Sequence, residues 1–436
     1  MKTVLDNLQR FSLDRRSVLV IGFAFAVALI LRWGYIVIFF LLEGMEGFHL
    51  GVEIPRIAGS IADGDGFSGP VPGSQGQATA WTVPIYPYFL SLIFSATENS
   101  KLIALSAAMT NGIIGACTVF PIYFAARQIQ GERAAAIAGL IFAVEPTSIW
   151  LVRFAQDTTM IVALIAFLFP LYNWAVAKPT FSRFIFLGLF VGIMCLVKTV
   201  ALVLVIAIVF LTLVVMHSQS LSHRATLSAL VLGCVMLVSA PWVYRNVEVM
   251  GLYGFQSNFG LELMVGNNTL TYEALVNEGR YPVPSIHPNS DTTENQLYRE
   301  LGEKQYMANS MEKATDYIFK HPEKFAELTM IRIFDFWSGS ISNFKTPFHR
   351  AKISTFICLM VLSIFGIAMF IRNPNVHLMI ACLLLLPAVY YVTHTISIDR
   401  YRLPVIPSLT VLAACAAVSL SAAWMRHRRQ NRTKVL

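Results

Sequence analysis

Acidic, basic and aromatic side chains that could do chemistry are concentrated in one stretch of the chain, Glu53–Tyr88. It contains a short helical segment, a Gly/Pro/Ser-rich loop and an aromatic and proline tract, at Glu53–Asp63, Gly64–Gly76 and Trp81–Pro87. Glu53 can accept a proton from a reacting group, although the helix dipole alone also favours an acid at a helix N-terminus. Arg56, three residues later, shares its helix face and can either bind a phosphate with two hydrogen bonds or neutralise Glu53. We predict that this stretch forms the floor of an active site.

Two further charged residues stand where charge is costly. Lys198 interrupts a long apolar tract, and such a lysine needs a cavity or a partner unless it snorkels from a turn to the membrane surface. Asp157 begins another apolar segment, close to Arg153, where it forms either an interfacial ion pair or part of a site. We predict that Lys198 belongs to the site, and the residues alone leave both alternatives open for Asp157.

Two arginines and an aromatic group complete the candidate set. Arg400 and Arg402 precede the last apolar segment, where arginines bind phosphate or simply anchor the chain at the interface. Trp81, Tyr86 and Tyr88 can stack on a sugar or an acyl chain, although an aromatic belt at the membrane surface gives the same pattern. Of these three, Tyr86 is our candidate for substrate binding.

The composition excludes an ordinary soluble protein, because the 436 residues are 56% hydrophobic and only 13% charged. The net charge of +8 would suggest nucleic acid in a soluble protein, but much of the excess lies in flanks and short loops, where it orients membrane spans. All six cysteines fall inside apolar runs without the spacing of a disulfide framework or a metal site. The histidines show no ligand spacing either, so we infer no zinc site.

The apolar runs predict ten membrane spans with both termini in the cytoplasm. Eight are continuous runs, and the first is too long for a signal peptide: Val18–Leu42, Leu102–Ala126, Ala134–Val152, Thr158–Ala177, Thr226–Val243, Ile353–Ile371, Val376–Thr393 and Pro404–Met425. Phe184–Met216 is too long for one crossing and has basic residues at both flanks, which predicts two passes with a tight reversal near Lys198. Val83–Ala96 is short and broken by prolines, so we expect it to lie at the interface.

The chain is predicted to have three parts. Residues 1–243 form a membrane module whose first outer loop, 43–100, holds the site. Residues 244–350 form an outer-face domain, in which Asp291–Lys320 and Pro322–Trp337 have the spacing of amphipathic helices. Residues 351–436 form a second membrane module.

Six short stretches of the sequence, the first of them in two pieces, resemble segments of one known superfamily in the correct order. RIAGSIADGDGF and TAWTVPIYPYFLSLIF are similar to a first outer loop, RFAQDTTMI to an aspartate at the start of a fourth span, and CLVKTVALVL to an intramembrane lysine. PWVYRNVEVMG, HPEKFAELTMIRIFDFW and DRYRLPVIP resemble later segments. Together they resemble the GT-C membrane glycosyltransferases that use polyprenyl-phosphate sugars, including protein O-mannosyltransferases and the aminoarabinose transferases of lipid A.

The resemblance implies an all-α polytopic GT-C fold with its active site on the outer face. It implies transfer of a sugar from an undecaprenyl- or dolichyl-type phosphate to a lipid, glycan or protein acceptor, in a bacterial inner membrane. It also implies catalytic roles for Glu53 and Asp157, and a phosphate site drawn from Lys198, Arg56, Arg400 and Arg402. Many relatives carry an acidic pair where this chain has Leu50–Gly51, so Glu53 is the nearest acid. No cofactor is required by this reasoning, and a divalent cation is left open.

Two other functions are compatible with parts of the sequence. A transporter or lipid flippase without covalent chemistry commonly has paired, repeated helix interruptions around a midplane site, and the Lys198 pattern has no second copy. An oligosaccharide ligase or polymerase that acts on polyprenyl-diphosphate glycans is an alternative within catalysis.

Overall fold

The computed structural model describes residues 14–44, 50–279, 285–339, 346–394 and 399–433, which form helices and no β-strand. In chain order the α-helices are α1 Arg15–Glu43, α2 Glu53–Ala62, α3 Ile85–Phe94, α4 Ser100–Cys117, α5 Val119–Gln130, α6 Glu132–Ala143, α7 Pro146–Leu151, α8 Thr158–Ala177, α9 Phe181–Val197, α10 Leu202–Val215, α11 Leu221–Met250, α12 Phe259–Gly266, α13 Thr269–Tyr272, α14 Thr292–Lys320, α15 Pro322–Ser338, α16 Pro347–Phe370, α17 His377–Thr393, α18 Asp399–Arg402 and α19 Ile406–Thr433. Short 3₁₀ turns occupy Thr199–Ala201, Pro374–Val376 and Leu403–Val405.

Seven helical segments of the described ranges are long and apolar enough to cross a membrane: Arg15–Glu43, Ser100–Gln130, Thr158–Ala177, Leu221–Met250, Pro347–Phe370, Pro374–Thr393 and Asp399–Arg428. Three shorter apolar segments, at α3, at α9 and at α10 with its preceding 3₁₀ turn, accompany them. The protein is therefore an integral membrane protein with an all-α polytopic fold, as predicted. The exact number of spans, the side on which the termini lie and the three-part division stay predictions.

The chain reverses at Lys198, as predicted. Lys198 is extended (φ −158°, ψ 125°) between α9 and the 3₁₀ turn that leads into α10. The start of α9 lies beside the start of α11, because His223 Nε2 is 3.1 Å from the Pro179 carbonyl oxygen. The end of α10 lies there too, because Arg224 donates a hydrogen bond to the Leu213 carbonyl. Since α9 begins where α10 ends, the two helices run in opposite directions and present Lys198 at their far end.

Two glycines hold α9 close to α11 and so fix the position of the reversal. A Cβ at Gly188 would lie 2.8 Å from the Cβ of Cys234, and a Cβ at Gly192 would lie 2.9 Å from the Cβ of Val238. The two glycines are four residues apart on one helix face, the spacing that lets helices approach closely in a membrane.

The run Ala134–Val152, predicted as one span, forms two helices, α6 and α7, with a break before Pro146. Glu145 caps the start of α7 and accepts a hydrogen bond from the backbone N–H of Ser148 at 2.6 Å. Arg32 on α1 donates to the Ala143 carbonyl at 3.2 Å, at the end of α6. The two charged side chains thus satisfy backbone groups that a helix break would otherwise leave unpaired.

The predicted amphipathic helices form as α14 and α15, and α14 is tied to the first loop by Glu303. A break at Gly302 (φ 74°) precedes this acid. The buried Glu303 carboxylate accepts hydrogen bonds from the Ala80 N–H at 2.9 Å and the Ser257 hydroxyl at 2.7 Å. Hydroxyl groups of Thr79 and Tyr298 donate to its other oxygen. This one side chain therefore connects the loop after α2, the segment before α12, and α14.

Candidate active site

A cavity of about 740 Å³ lies where α2 and α12 meet the Lys198 reversal and the ends of α17 and α18. Its volume is in the range of small-molecule sites. Four of the predicted site residues line it: Glu53, Asp157, Lys198 and Arg400. These residues come from four distant parts of the chain, and the fold brings them to one place.

Asp157 and Lys198 both line the cavity and form an ion pair with each other. The Lys198 Nζ lies 2.6 Å from Asp157 Oδ1, and the side chains are 21% and 9% exposed, respectively. Lys198 therefore has both the cavity and the partner that its apolar surroundings require, and it does not snorkel. An ammonium group has three N–H donors, so the pair leaves donors available for a ligand.

Glu53 is the first residue of α2, and the side chains of His287 and Asn289 lie against its carboxylate. Asn289 Nδ2 donates to Glu53 Oε1 at 2.9 Å, and His287 Nε2 lies 3.6 Å from the same oxygen. The backbone N–H of Asn289 donates to His287 Nδ1 at 3.1 Å, so the neutral ring carries its proton on Nε2, which faces Glu53. Burial lowers the pKa of His287 and nearby Arg400 lowers it further, whereas the Glu53 charge opposes this. The imidazole is accordingly a neutral donor toward Glu53.

Arg56 acts on Glu53 through Asn289. It donates to Asn289 Oδ1 at 2.6 Å and to the Pro70 carbonyl at 3.4 Å. Since its oxygen is held by Arg56, the amide of Asn289 presents its nitrogen to Glu53. Arg56 does not belong to the cavity lining, so of the two predicted alternatives the structure favours an effect on Glu53 over phosphate binding.

The two predicted arginines near the last span have different surroundings. Arg400 lines the cavity, donates to the Tyr401 hydroxyl at 2.6 Å, and has a buried Nε that no group of the described residues accepts from. Arg402 instead donates to Asp399 at 2.7 Å, and Asp399 also pairs with Lys352. Arg402 does not line the cavity, so we do not include it in the proposed phosphate site.

Tyr86 is a packing residue rather than a wall of the cavity. It is 1% exposed and packs on α3 among Ala58 of α2 and Leu90. Of the three aromatic residues considered from the sequence, Trp81 alone lines the cavity, and its ring lies edge-on to His287 at 5.6 Å between centroids. Trp81 is itself only 3% exposed, so neither ring is open enough to stack on a ligand, and Tyr86 supports the helix that carries Glu53.

Sequence reasoning missed a third carboxylate of the cavity, Glu262 on α12. Glu262 Oε2 lies 3.6 Å from His394 Nε2, and both residues line the cavity. Gly266 brings them together, because a Cβ there would lie only 2.4 Å from the Thr393 carbonyl oxygen. The available signal was an acid one helical turn before a glycine in an otherwise apolar helix.

The arrangement can carry out transfer chemistry on an anionic ligand. One part of the cavity holds a positioned base, Glu53, and other parts hold the cations Lys198 and Arg400. A base can deprotonate an attacking group, and fixed cations can stabilise a departing anion. Within the described ranges, no cluster of three or more His, Cys, Asp or Glu side chains is arranged to hold a metal ion.

The model of the family described as dolichyl-phosphate-mannose-protein mannosyltransferase matches residues 81–244 of the chain. This segment runs from Trp81 past both Asp157 and Lys198 to the last part of α11. No curated protein matches the sequence significantly.

Solved structures of similar fold include membrane oligosaccharyltransferases. AglB from Archaeoglobus fulgidus, in complex with an inhibitory peptide and a dolichol-phosphate, matches with a TM-score of 0.56 and 15% identity over 96% of this chain and 52% of that chain. The apo form of an oligosaccharyltransferase of the same organism matches with a TM-score of 0.53 and 15% identity over the same shares. ArnT from Cupriavidus metallidurans, bound to undecaprenyl phosphate, gives a TM-score of 0.40 and 14% identity over 91% of this chain and 77% of that one.

The chain thus has the GT-C fold, as predicted, and spans about half the length of the archaeal oligosaccharyltransferases that it matches.

Proposed function

We propose that this chain is a membrane glycosyltransferase that moves a sugar from a polyprenyl-phosphate donor to a hydroxyl or amine acceptor. The observation that carries the proposal is the joint presence of a positioned carboxylate and two cations, Lys198 and Arg400, in a cavity between membrane helices. The family match over residues 81–244 and the fold shared with AglB, which was solved with a dolichol-phosphate, support the donor class.

The reaction needs a base, a phosphate site and a surface for the sugar. Glu53 accepts the proton of the acceptor group, whose oxygen or nitrogen attacks C1 of the sugar. The C1–O bond to phosphate breaks, and its electron pair leaves with the lipid phosphate toward Lys198 and Arg400. The part of the cavity between Glu53 and the two cations accommodates the sugar, and the apolar helices beside the cavity accommodate the polyprenyl tail.

The site is proposed to lie on the outer face of a bacterial inner membrane, with both termini in the cytoplasm. The basic flanks of the apolar runs favour this orientation. Acceptors open to the site are then lipids, glycans or proteins of the cell envelope. The transfer assay described below, run with and without a divalent cation, tests whether a metal ion shares the phosphate.

The test is a reconstituted transfer assay with radiolabelled polyprenyl-phosphate sugars and membrane extracts as acceptors. Glu53→Gln keeps the hydrogen bond with Asn289 possible but removes the base, so turnover should fall by about 10²–10⁴-fold while the donor still binds. Asp63→Asn is the matched control, because Asp63 is an exposed carboxylate at the other end of α2 and should keep wild-type turnover. Lipid movement without a covalent sugar product would instead support a flippase, and wild-type turnover by folded Glu53→Gln would remove Glu53 as the base.

A further inference from the structure

The pair Glu262 and His394 lines the cavity but has no part in the mechanism above. Glu262 lies on α12, and two glycines allow this helix to pack closely against its neighbours. A Cβ at Gly260 would lie 2.5 Å from the Met307 carbonyl oxygen of α14, and a Cβ at Gly266 would lie 2.4 Å from the Thr393 carbonyl oxygen. A carboxylate fixed this firmly in a ligand cavity, and partly open to it (29% exposed), is available for chemistry.

Hydrogen bonds on the far side of His394 determine where its proton lies. The Thr393 hydroxyl donates to the Val389 carbonyl at 2.8 Å, so its oxygen is left to accept the Nδ1–H of His394 at 2.6 Å. The neutral imidazole then has a bare Nε2, which faces Glu262 Oε2 at 3.6 Å. Two facing acceptors repel each other unless one proton lies between them.

The surroundings place this proton on Glu262 rather than on the ring. Burial raises the pKa of Glu262 to about 7; the charges of Arg400 and Lys198 oppose the rise, and that of Glu53 adds to it. Burial lowers the pKa of His394 well below its usual range, and Arg400 and Lys198 lower it further. Below about pH 7 the pair is therefore a carboxylic acid beside a neutral imidazole, in a cavity whose cations would hold the phosphate.

We propose that Glu262 is a general acid that protonates the departing lipid phosphate, with His394, whose Nε2 lies 3.6 Å from Glu262 Oε2, as its positioning residue. This inference rests on the proposed glycosyl transfer. It differs from the role of Glu53, which must be ionised to act, because Glu262 must be protonated.

Both carboxyl groups regain their starting protonation states by the end of the catalytic cycle. Glu53 takes the proton of the acceptor as the bond from the acceptor to C1 forms. The C1–O bond breaks, its electron pair stays on the phosphate oxygen, and the proton of Glu262 passes to the phosphate. Glu53 then releases one proton to water and Glu262 regains one, so both carboxyl groups return to their starting states.

The pH dependence of turnover tests the proposal. Wild-type turnover should fall as pH rises through about 7, because Glu262 then loses the proton it must donate. Glu262→Gln should reduce turnover by about 10²–10⁴-fold, the usual worth of a general acid, and should abolish the alkaline decline while leaving the affinity for polyprenyl phosphate near wild type. Glu248→Gln, at an exposed glutamate of α11, should leave both the rate and the profile unchanged. A folded Glu262→Gln variant that keeps the wild-type alkaline decline would overturn the proposal.

A second measurement does not depend on turnover. Infrared difference spectra of the wild-type protein, recorded across the same pH range, should show a protonated carboxyl band that disappears near pH 7 and is shifted in Glu262→Asp. A band unchanged in Glu262→Asp, or none that titrates there, counts against the proposal even if Glu262→Gln does not fold. If the wild type transfers no sugar from any donor tested, the proposed function fails; if it transfers sugar and only the Glu262 readouts are negative, the general acid alone fails.

Discussion

Lys198→Met separates the stabilising role of the Asp157–Lys198 pair from its role in binding. The variant keeps most of the side-chain stem, removes the charge and leaves Asp157, only 9% exposed, without its partner. Breaking a buried ion pair costs about 3–5 kcal/mol, and the 21% exposure of Lys198 puts the expected loss near the lower end. Loss of a charged hydrogen bond to the lipid phosphate should also cost about 1.5–3 kcal/mol in binding, which is a roughly ten- to hundred-fold weaker Kd.

A double-mutant cycle divides the two effects. Asp157→Asn should destabilise the free protein but bind polyprenyl phosphate at least as tightly as the wild type, because Lys198 no longer has a competing anion. Lys198→Met with Asp157→Asn should recover much of the lost stability, since neither charge is left unpaired, but should not recover the affinity. Each variant can be titrated with polyprenyl phosphate while its melting temperature is measured.

Lys352→Met provides the matched control. Lys352 forms another buried ion pair, with Asp399, but does not line the cavity, so its loss should lower stability without weakening lipid binding. The reasoning is refuted if Lys198→Met binds polyprenyl phosphate as tightly as the wild type. It is refuted equally if Lys352→Met weakens binding as much as Lys198→Met does.

Three further outcomes follow from the structure. Asn289→Leu should lower kcat by about ten- to a hundred-fold, from the loss of a charged hydrogen bond to Glu53, while the Kd for polyprenyl phosphate stays near wild type; an unchanged kcat would mean that Asn289 does not position the base. Glu303→Gln should lower the melting temperature, because its amide nitrogen cannot accept from the buried donors around it, each worth about 1–3 kcal/mol when unsatisfied, and wild-type stability would contradict the assigned anchor role. Reporter fusions at Gln219 and at the C-terminus should read cytoplasmic and one at Ser285 external; an external C-terminus would contradict the orientation.

The sequence predicted most of the fold because membrane helices are specified by long apolar runs and their charged flanks. It also predicted the reversal at Lys198, since an apolar tract that is too long for one crossing and has basic residues at both flanks must pass twice. It did not predict the break before Glu145, because a helix interruption inside an apolar run is satisfied by a distant residue, Arg32, that the local pattern does not reveal.

The site was only partly predictable, for a related reason. Glu53 and Lys198 stand out locally, as an acid at a helix start and a lone charge in an apolar tract. His287 and Asn289 were not predicted to act on Glu53, because they reach it from more than 230 residues away in the sequence. Which of Arg400 and Arg402 is available to a ligand likewise depends on Asp399, because Asp399 accepts a hydrogen bond from Arg402.

The Asp157–Lys198 pair shows why the same residues can serve the fold and the proposed reaction. An unpaired lysine in this position would be costly whenever no donor is bound, and Asp157 offsets that cost in the free protein. A lipid phosphate brings more negative charge and more acceptor oxygens than one carboxylate, so it can share or take over the Lys198 ammonium. Asp157 would then act as the counter-ion that keeps Lys198 in place between donors. A ligand must therefore interact with the Lys198 ammonium more strongly than the Asp157 carboxylate does, and this requirement favours a phosphate over weaker anions.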